Sequence, residues 1–196
     1  MKIILSISGG GVRGLIPAIV LAEIEKRTGK RISDCCDLIA GNSTGGIISC
    51  LLTVPNKNGM PKYTASKIVT MYKQFGKYVF KRSVFRKIAT LSGWSWSKYP
   101  SKPLEELLKE YFGEIKLNEV TTDVLIPTYQ ITNVPYPSFF KSTHAKNPTC
   151  CEENPYLWEC ARATSAASSY FSPYKYSDKL TFIDGGLFAN NPAMCA

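Results

Sequence analysis

The chain predicts an α/β fold with a mostly parallel central sheet flanked by helices, and three stretches carry that expectation. Residues 2–7 read as a strand that runs into the glycine loop Gly9-Gly10-Gly11-Val12-Arg13-Gly14 and then a helix. The apolar run Leu38-Ile39-Ala40 reads as a second strand, followed at once by Gly41-Asn42-Ser43-Thr44-Gly45 and the apolar Ile47-Ile48-Ser49-Cys50-Leu51-Leu52. Near the end, Leu180-Thr181-Phe182-Ile183 reads as a strand delivering Asp184-Gly185-Gly186. Alternation of short apolar runs with helical patterns is the signature of strands covered by helices.

The elements follow in order. Residues 2–7 form a buried-type strand, and the first helix spans residues 15–28 with Gly29 as its stop. Its apolar early turns predict a buried front half, and Pro17 is tolerated in its first turn. The segment after Ser43 is apolar all round, as a fully buried helix requires. Residues 54–59 form a turn, and Thr64 or Ser66 can cap a helix through Ile68, Met71, Tyr72, Phe75 and Val79. Pro103 opens a helix ended by Gly113. Val124-Leu125-Ile126 is a strand whose extension past Pro127 implies an edge or a bulge. Residues 139–141 form another short strand after the Pro135-Tyr136-Pro137 turn. Asn154-Pro155 starts a helix running to Ala167.

At 196 residues the chain is one domain, 1–196. Asn191-Pro192 repeats a helix-start signature four residues before the end, so the chain reads as a C-terminally truncated form of a longer protein. The apolar start is too short for a signal peptide, and no run is long enough to span a bilayer. The expected setting is cytoplasmic as made and peripheral on membranes, with export by another route left open. The seven cysteines are an odd number without an export signal, which favours free thiols over a disulfide framework. No Cys-x-x-Cys occurs, and the single histidine, His144, lacks a ligand-spaced companion, so no metal is expected. His144 reads as a solvated loop residue.

The formal charge of +9 is concentrated. Residues 38–104 contain no Asp or Glu, and from Lys57 to Lys102 lysines and arginines alternate with aromatics such as Tyr78, Phe80, Trp94 and Trp96. Such a segment suits an anionic surface, phospholipid headgroups or nucleic acid. A solvated loop with its aromatics tucked inward is the other reading of residues 81–99.

Gly41-Asn42-Ser43-Thr44-Gly45 sits where a nucleophile elbow must, between a strand and a helix. The turn projects the serine, and the helix N-terminus beneath offers unpaired amides to a developing negative charge. The loop Gly9-x-Gly11-x-x-Gly14 has two readings. One is a dinucleotide fingerprint, yet the acid that should end the second strand is absent, since that strand ends in Gly41-Asn42-Ser43. The favoured reading is an oxyanion hole of bare amides. Asp184, at a strand end and flanked by glycines, can approach another turn closely. Sites form where strand C-terminal ends gather on one sheet edge, and Ser43, Asp184 and the glycine loop each follow a strand.

These motifs, in this order, resemble the patatin-like phospholipase family. The stretches Asp37-Leu38-Ile39-Ala40, Ala161-Arg162-Ala163-Thr164-Ser165-Ala166-Ala167 and residues 184–192 are similar too, so the resemblance covers nearly the whole chain. It implies a lipid acyl hydrolase of phospholipase A type that uses a Ser-Asp dyad without histidine, with Ser43 as nucleophile and Asp184 as base. The oxyanion hole is assigned to Gly10, Gly11 and Thr44. Gly9, Val12, Arg13, Gly14, Gly41, Gly45, Gly185 and Gly186 support the motifs. Ser8 and Ser168 stand where the family often has Asp and Pro. No cofactor is implied, and the expected partner is lipid at an anionic membrane surface rather than nucleic acid. Two other readings stay open: a dinucleotide-binding oxidoreductase using Gly9, Gly11 and Gly14, and a non-catalytic module that binds anionic membranes.

Overall fold

The structure is a computed structural model that describes residues 2–79, 99–147, 154–168 and 170–196. Residues 80–98 of the basic-aromatic stretch, Trp94 and Trp96 among them, lie outside the described residues.

Three parallel strands form one half of the sheet: β1 (Ile4–Ile7), β2 (Leu38–Gly41) and β3 (Asp123–Gln130). β4 (Tyr136–Lys141) and β6 (Thr181–Asp184) run antiparallel to β3, and the short β5 (Tyr174–Lys175) runs antiparallel to β6. β1, β2, β3 and β5 therefore point one way in a six-stranded mixed sheet ordered β1-β2-β3-β6-β5, with β4 also on β3. Among the described residues the α-helices are α1 (Leu15–Thr28), α2 (Ile32–Cys35), α3 (Thr44–Thr53), α4 (Ala65–Val79), α5 (Lys102–Phe112), α6 (Ser142–Ala145) and α7 (Leu157–Thr164).

The register of β3 explains how the sheet brings distant residues together. Residues Asp123, Val124 and Leu125 pair with β2, while Thr128, Tyr129 and Gln130 pair with β6. Residues 125–130 pair with β4 throughout. Since β4 takes the other edge, β2 and β6 share one edge of β3 and meet end to end beside Pro127. Pro127 was expected to mark an edge or a bulge, but β3 is central. Proline is tolerated there because its missing N–H falls at the seam where neither β2 nor β6 supplies a ladder acceptor.

Every residue of α3 is buried, as its largely apolar sequence requires, and it packs against β2, β3 and α7. Ile48 and Leu51 of α3 and Ile39 and Ile126 of the sheet are fully enclosed, each worth about 1.5–3 kcal/mol of burial. Close approach is essential at Gly45, where a methyl group would fall on the carbonyl of Ile7. Gly45→Ala is expected to lower stability by about 1–3 kcal/mol or to prevent folding, as measured by chemical denaturation.

Several elements depart from the sequence reading. β1 is not of the buried type: it ends the sheet, and Ile4 is 49% exposed. The front half of α1 is not buried either. Ala18 and Leu21 face the core, whereas Ile16 (64% exposed), Ile19 and Val20 face outward. α1 is apolar on both faces, so periodicity could not tell which face the core would take. α4 starts as expected, with Thr64 Oγ1 accepting the Lys67 amide at 2.9 Å. α7 begins at Leu157 rather than at Asn154-Pro155, because Asn154 Oδ1 accepts the Asn118 amide (3.1 Å) and Pro155 O accepts the Leu117 amide (2.9 Å). It ends at Thr164, three residues before Ala167. β4 includes Tyr136 and Pro137, which were assigned to a turn. His144 lies exposed on the single turn of α6 rather than in a loop.

Candidate active site

Ser43 stands at the tip of the turn from β2 to α3 with φ 53° and ψ −126°. A non-glycine residue in that region stores about 1–3 kcal/mol of strain, so its surroundings must hold it there. They do so through Thr164, at the end of α7. The Ser43 amide donates to Thr164 Oγ1 at 2.9 Å, and the Thr164 hydroxyl donates to the carbonyl of Pro127 at 2.7 Å. One buried hydroxyl thus ties the elbow to the seam of β3. From the other side, the Ile47 amide donates to the Ser43 carbonyl at 3.1 Å, closing the first turn of α3.

Thr164 was quoted within a family-like stretch but given no role, because nothing in a sequence says which hydroxyl will lie under a turn 121 residues away. Thr164→Val keeps the shape but leaves the Ser43 amide and the Pro127 carbonyl unsatisfied. The expected loss is about 2–4 kcal/mol of stability, read by urea denaturation against the parent chain.

Asp184 closes β6. Its amide donates to the Ala166 carbonyl (3.1 Å), and its Oδ1 accepts the Gly186 amide (2.7 Å). The seam sets its position opposite Thr128, just beyond the point where β2 ends. The expected gathering of parallel strand ends is therefore not how Asp184 arrives: β6 runs against β2, and the two strand ends meet head-on. Gly185 makes this possible, because a methyl group there would fall on the Pro127 carbonyl. Ser43 and Asp184 line the same cleft, and the Ser43 hydroxyl lies near enough to favour the ionised form of the carboxyl. Burial pushes the Asp184 carboxyl above the ordinary carboxylate range, and the Ser43 hydroxyl and the Gly186 amide pull only partly against it.

The glycine loop lies across the elbow. The Gly9 amide donates to Asn42 Oδ1 (3.0 Å), and the Gly10 amide donates to Thr44 Oγ1 (3.1 Å). Gly11, at φ 59°, opens a 3₁₀ turn through Gly14 that leads directly into α1. The amides of Gly11 and Thr44 each head a helical segment, so no carbonyl of that segment lies ahead to accept them. Of the three predicted oxyanion donors, Gly10 is thus already engaged by a side chain, while Gly11 and Thr44 point no amide into their own helices. The amides of Gly9 and Gly10 are thus turned onto the elbow and are not free to hold a pyrophosphate.

A cleft of about 770 Å³ opens over these groups. Gly9, Gly10, Gly11, Val12, Arg13, Ser43, Thr44, Asp184 and Gly186 all line it, while Gly14, Gly41, Gly45 and Gly185 lie buried behind it. Val12 (60% exposed) and Leu187 (65% exposed) stand on its rim, and Ile47, Leu104 and Phe171 supply apolar wall. Its size suits a drug-sized or single-chain lipid ligand. Arg13 folds back on the loop, its amide donating to the Gly10 carbonyl at 3.2 Å. His144 is not among the lining residues. Among the described residues, no helix is long and apolar enough to cross a membrane.

Comparisons with known proteins identify the family of the chain. A family model described as patatin-like phospholipase matches residues 5–196. The chain is 38% identical to patatin-like protein 2 of Oryza sativa subsp. indica, over all of this chain and 52% of that protein. It is 39% identical to patatin-like protein 4 of Arabidopsis thaliana, over 97% of this chain and 50% of that protein. It is also 32% identical, over 99% of this chain and 53% of the relative, to a Solanum tuberosum protein named probable inactive patatin-3-Kuras 1. The solved structure of VipD from Legionella pneumophila aligns with a TM-score of 0.47 at 12% identity, covering 95% of this chain and 46% of that one. The chain spans about half the length of the curated relatives it matches. With the family model covering the elbow, the glycine loop and the strand-end aspartate together, the chain belongs to the patatin-like phospholipase family.

Proposed function

We propose that this chain is a lipid acyl hydrolase of phospholipase A type, acting through a covalent acyl-Ser43. The observation that carries the reading is the strained Ser43 at the elbow tip, in one cleft with the half-buried Asp184 carboxyl and the glycine loop. Family membership supports lipid ester hydrolysis in general, and the geometry supports the assignment of residues. The name of the probable inactive relative shows that membership alone does not settle activity.

In this reading Ser43 Oγ attacks the ester carbonyl as its proton passes to Asp184. The carbonyl π electrons move onto oxygen, and the amides of Gly11 and Thr44 hold the resulting oxyanion. One such donor is worth about 10²–10³-fold in rate. Gly10 joins them only if the Thr44 hydroxyl releases its amide. Collapse of the tetrahedral intermediate breaks the bond to the alcohol, which leaves with the proton from Asp184. Water then repeats the sequence: its proton passes to Asp184 as it attacks the acyl carbon, and Ser43 takes that proton back as the free fatty acid leaves. The apolar wall of Ile47, Leu104 and Phe171 is suited to an acyl chain.

The raised Asp184 gives the reading a pH signature. A base works only when ionised, so activity falls as pH drops through a value above the usual carboxylate range, and the acid limb of kcat/KM is expected above about pH 4. A limb at or below that value would show that Asp184 is not the titrating base. The positive charge and the rim residues Val12 and Leu187 favour action at an anionic lipid surface, with binding that weakens as salt rises. The experiment that tests the function is fatty-acid release from a phospholipid and galactolipid panel by mass detection, with titration of NAD and NADP alongside. Cofactor binding without ester hydrolysis would favour the dinucleotide reading instead.

A further inference from the structure

Asn42, between β2 and Ser43, is 1% exposed. Its orientation is dictated by the glycine loop, since the Gly9 amide needs an acceptor and takes Oδ1 at 3.0 Å. Nδ2 is thereby turned away from Gly9's amide, and among the described residues nothing accepts from it. A buried donor without an acceptor costs about 1–3 kcal/mol, so Nδ2 is placed to donate to a further group.

The surroundings indicate which partner. A methyl group built on Gly186 would lie 2.9 Å from Asn42 Nδ2, 3.0 Å from Asp184 Oδ1 and 3.7 Å from Asn190 Oδ1. One donor and two acceptors thus gather around Gly186, too closely to admit a side chain there, and the room for a further group is on the cleft side that all four residues line. Asn42, Asp184, Gly186 and Asn190 all border the cleft. A group that accepts one hydrogen bond and donates two is a water molecule, and three partners are what a buried water typically has.

We propose that Asn42 is a positioning residue for Asp184, acting through one water held between Asn42 Nδ2, Asp184 Oδ1 and Asn190 Oδ1. The water accepts from the Asn42 amide and donates to the carboxylate and to the Asn190 carbonyl. With Oδ1 engaged by this water and by the Gly186 amide at 2.7 Å, the carboxyl cannot rotate, and its second oxygen is left for Ser43. The same bonds favour the ionised carboxylate and so offset part of its desolvation. The role of the water in catalysis rests on the acyl-hydrolase reading above; the water site itself does not.

A high-resolution crystal structure of the chain and of its Asn42→Ala and Asn190→Ala variants tests the site directly. The expected result is a water peak within about 3.2 Å of Asn42 Nδ2 and Asp184 Oδ1 in the parent, lost in Asn42→Ala. Absence of that peak in the parent, or a direct bond from Nδ2 to a protein acceptor, overturns the proposal. Kinetics supply the second readout. Asn190→Ala removes one acceptor of the water, leaves the Gly9–Asn42 bond in place and adds no charge, so it separates loop anchoring from the water. Its acid limb is expected to move up, with KM little changed. If Asn42 only anchors Gly9, Asn190→Ala keeps the parental pH limb, and the positioning role fails. A parent chain with no ester hydrolysis would instead defeat the functional reading, leaving the water site to be judged on electron density alone.

Discussion

Replacing Ser43 with alanine is expected to lower ester hydrolysis by about 10⁴-fold or more, to the level of the uncatalysed background, while leaving the fold intact. The hydroxyl is the only atom removed, and the elbow is held by main-chain bonds that alanine keeps: the Ser43 amide to Thr164 Oγ1 and the Ile47 amide to the carbonyl of residue 43. Ser43→Gly sharpens the result. At φ 53° glycine pays no steric penalty, so this variant should be equally inactive yet more stable by about 1 kcal/mol. Steady-state hydrolysis and denaturation midpoints on the three proteins check both halves. Residual activity within tenfold of the parent would remove Ser43 from the chemistry.

Asp184→Asn is expected to be as damaging to activity, because an amide cannot take the Ser43 proton, while stability moves the opposite way. Burial raises the Asp184 carboxyl above its unfolded value. A carboxyl with a raised folded pKa contributes most to stability while it is protonated in both states, and that contribution is lost as pH rises through the folded value. At neutral pH the parent therefore carries the cost of a buried charge, and the neutral asparagine does not. The variant should show a Tm equal to or above the parent at pH 7, with the advantage shrinking in acid. Asparagine Oδ1 can still accept the Gly186 amide, so the turn is not lost with the charge. Thermal melts at pH 7 and pH 4, paired with activity, separate this outcome from simple unfolding, which would lower Tm and activity together.

Much of the site was legible because its motifs are local. Gly41 to Gly45 encodes a strand, a strained turn and a helix start within five residues, and the glycine loop encodes its own turn into α1. The strand ending at Asp184 could also be placed, but not its direction. Strand polarity in a sheet is a long-range property, and β6 running against β3 beside Pro127 is set by pairing that leaves no local trace. Thr164 and Asn42 were missed for the same reason: a buried hydroxyl and a buried amide gain meaning only through what the fold places opposite them. The burial of α1 was misjudged because Ile16, Ile19 and Val20 match Ala18 and Leu21 in character. The front half of α1, apolar on every side, carries no amphipathic signal to orient it, unlike the charged second half.

Labelling by a fluorophosphonate probe, followed by peptide mapping on the intact chain, tests the central claim most directly. Such a probe reacts only with an activated serine and records which one. The account predicts a single adduct on Ser43, absent in Asp184→Asn and unchanged in His144→Ala. An adduct on another serine, or labelling that survives Asp184→Asn but is lost with His144, would contradict it.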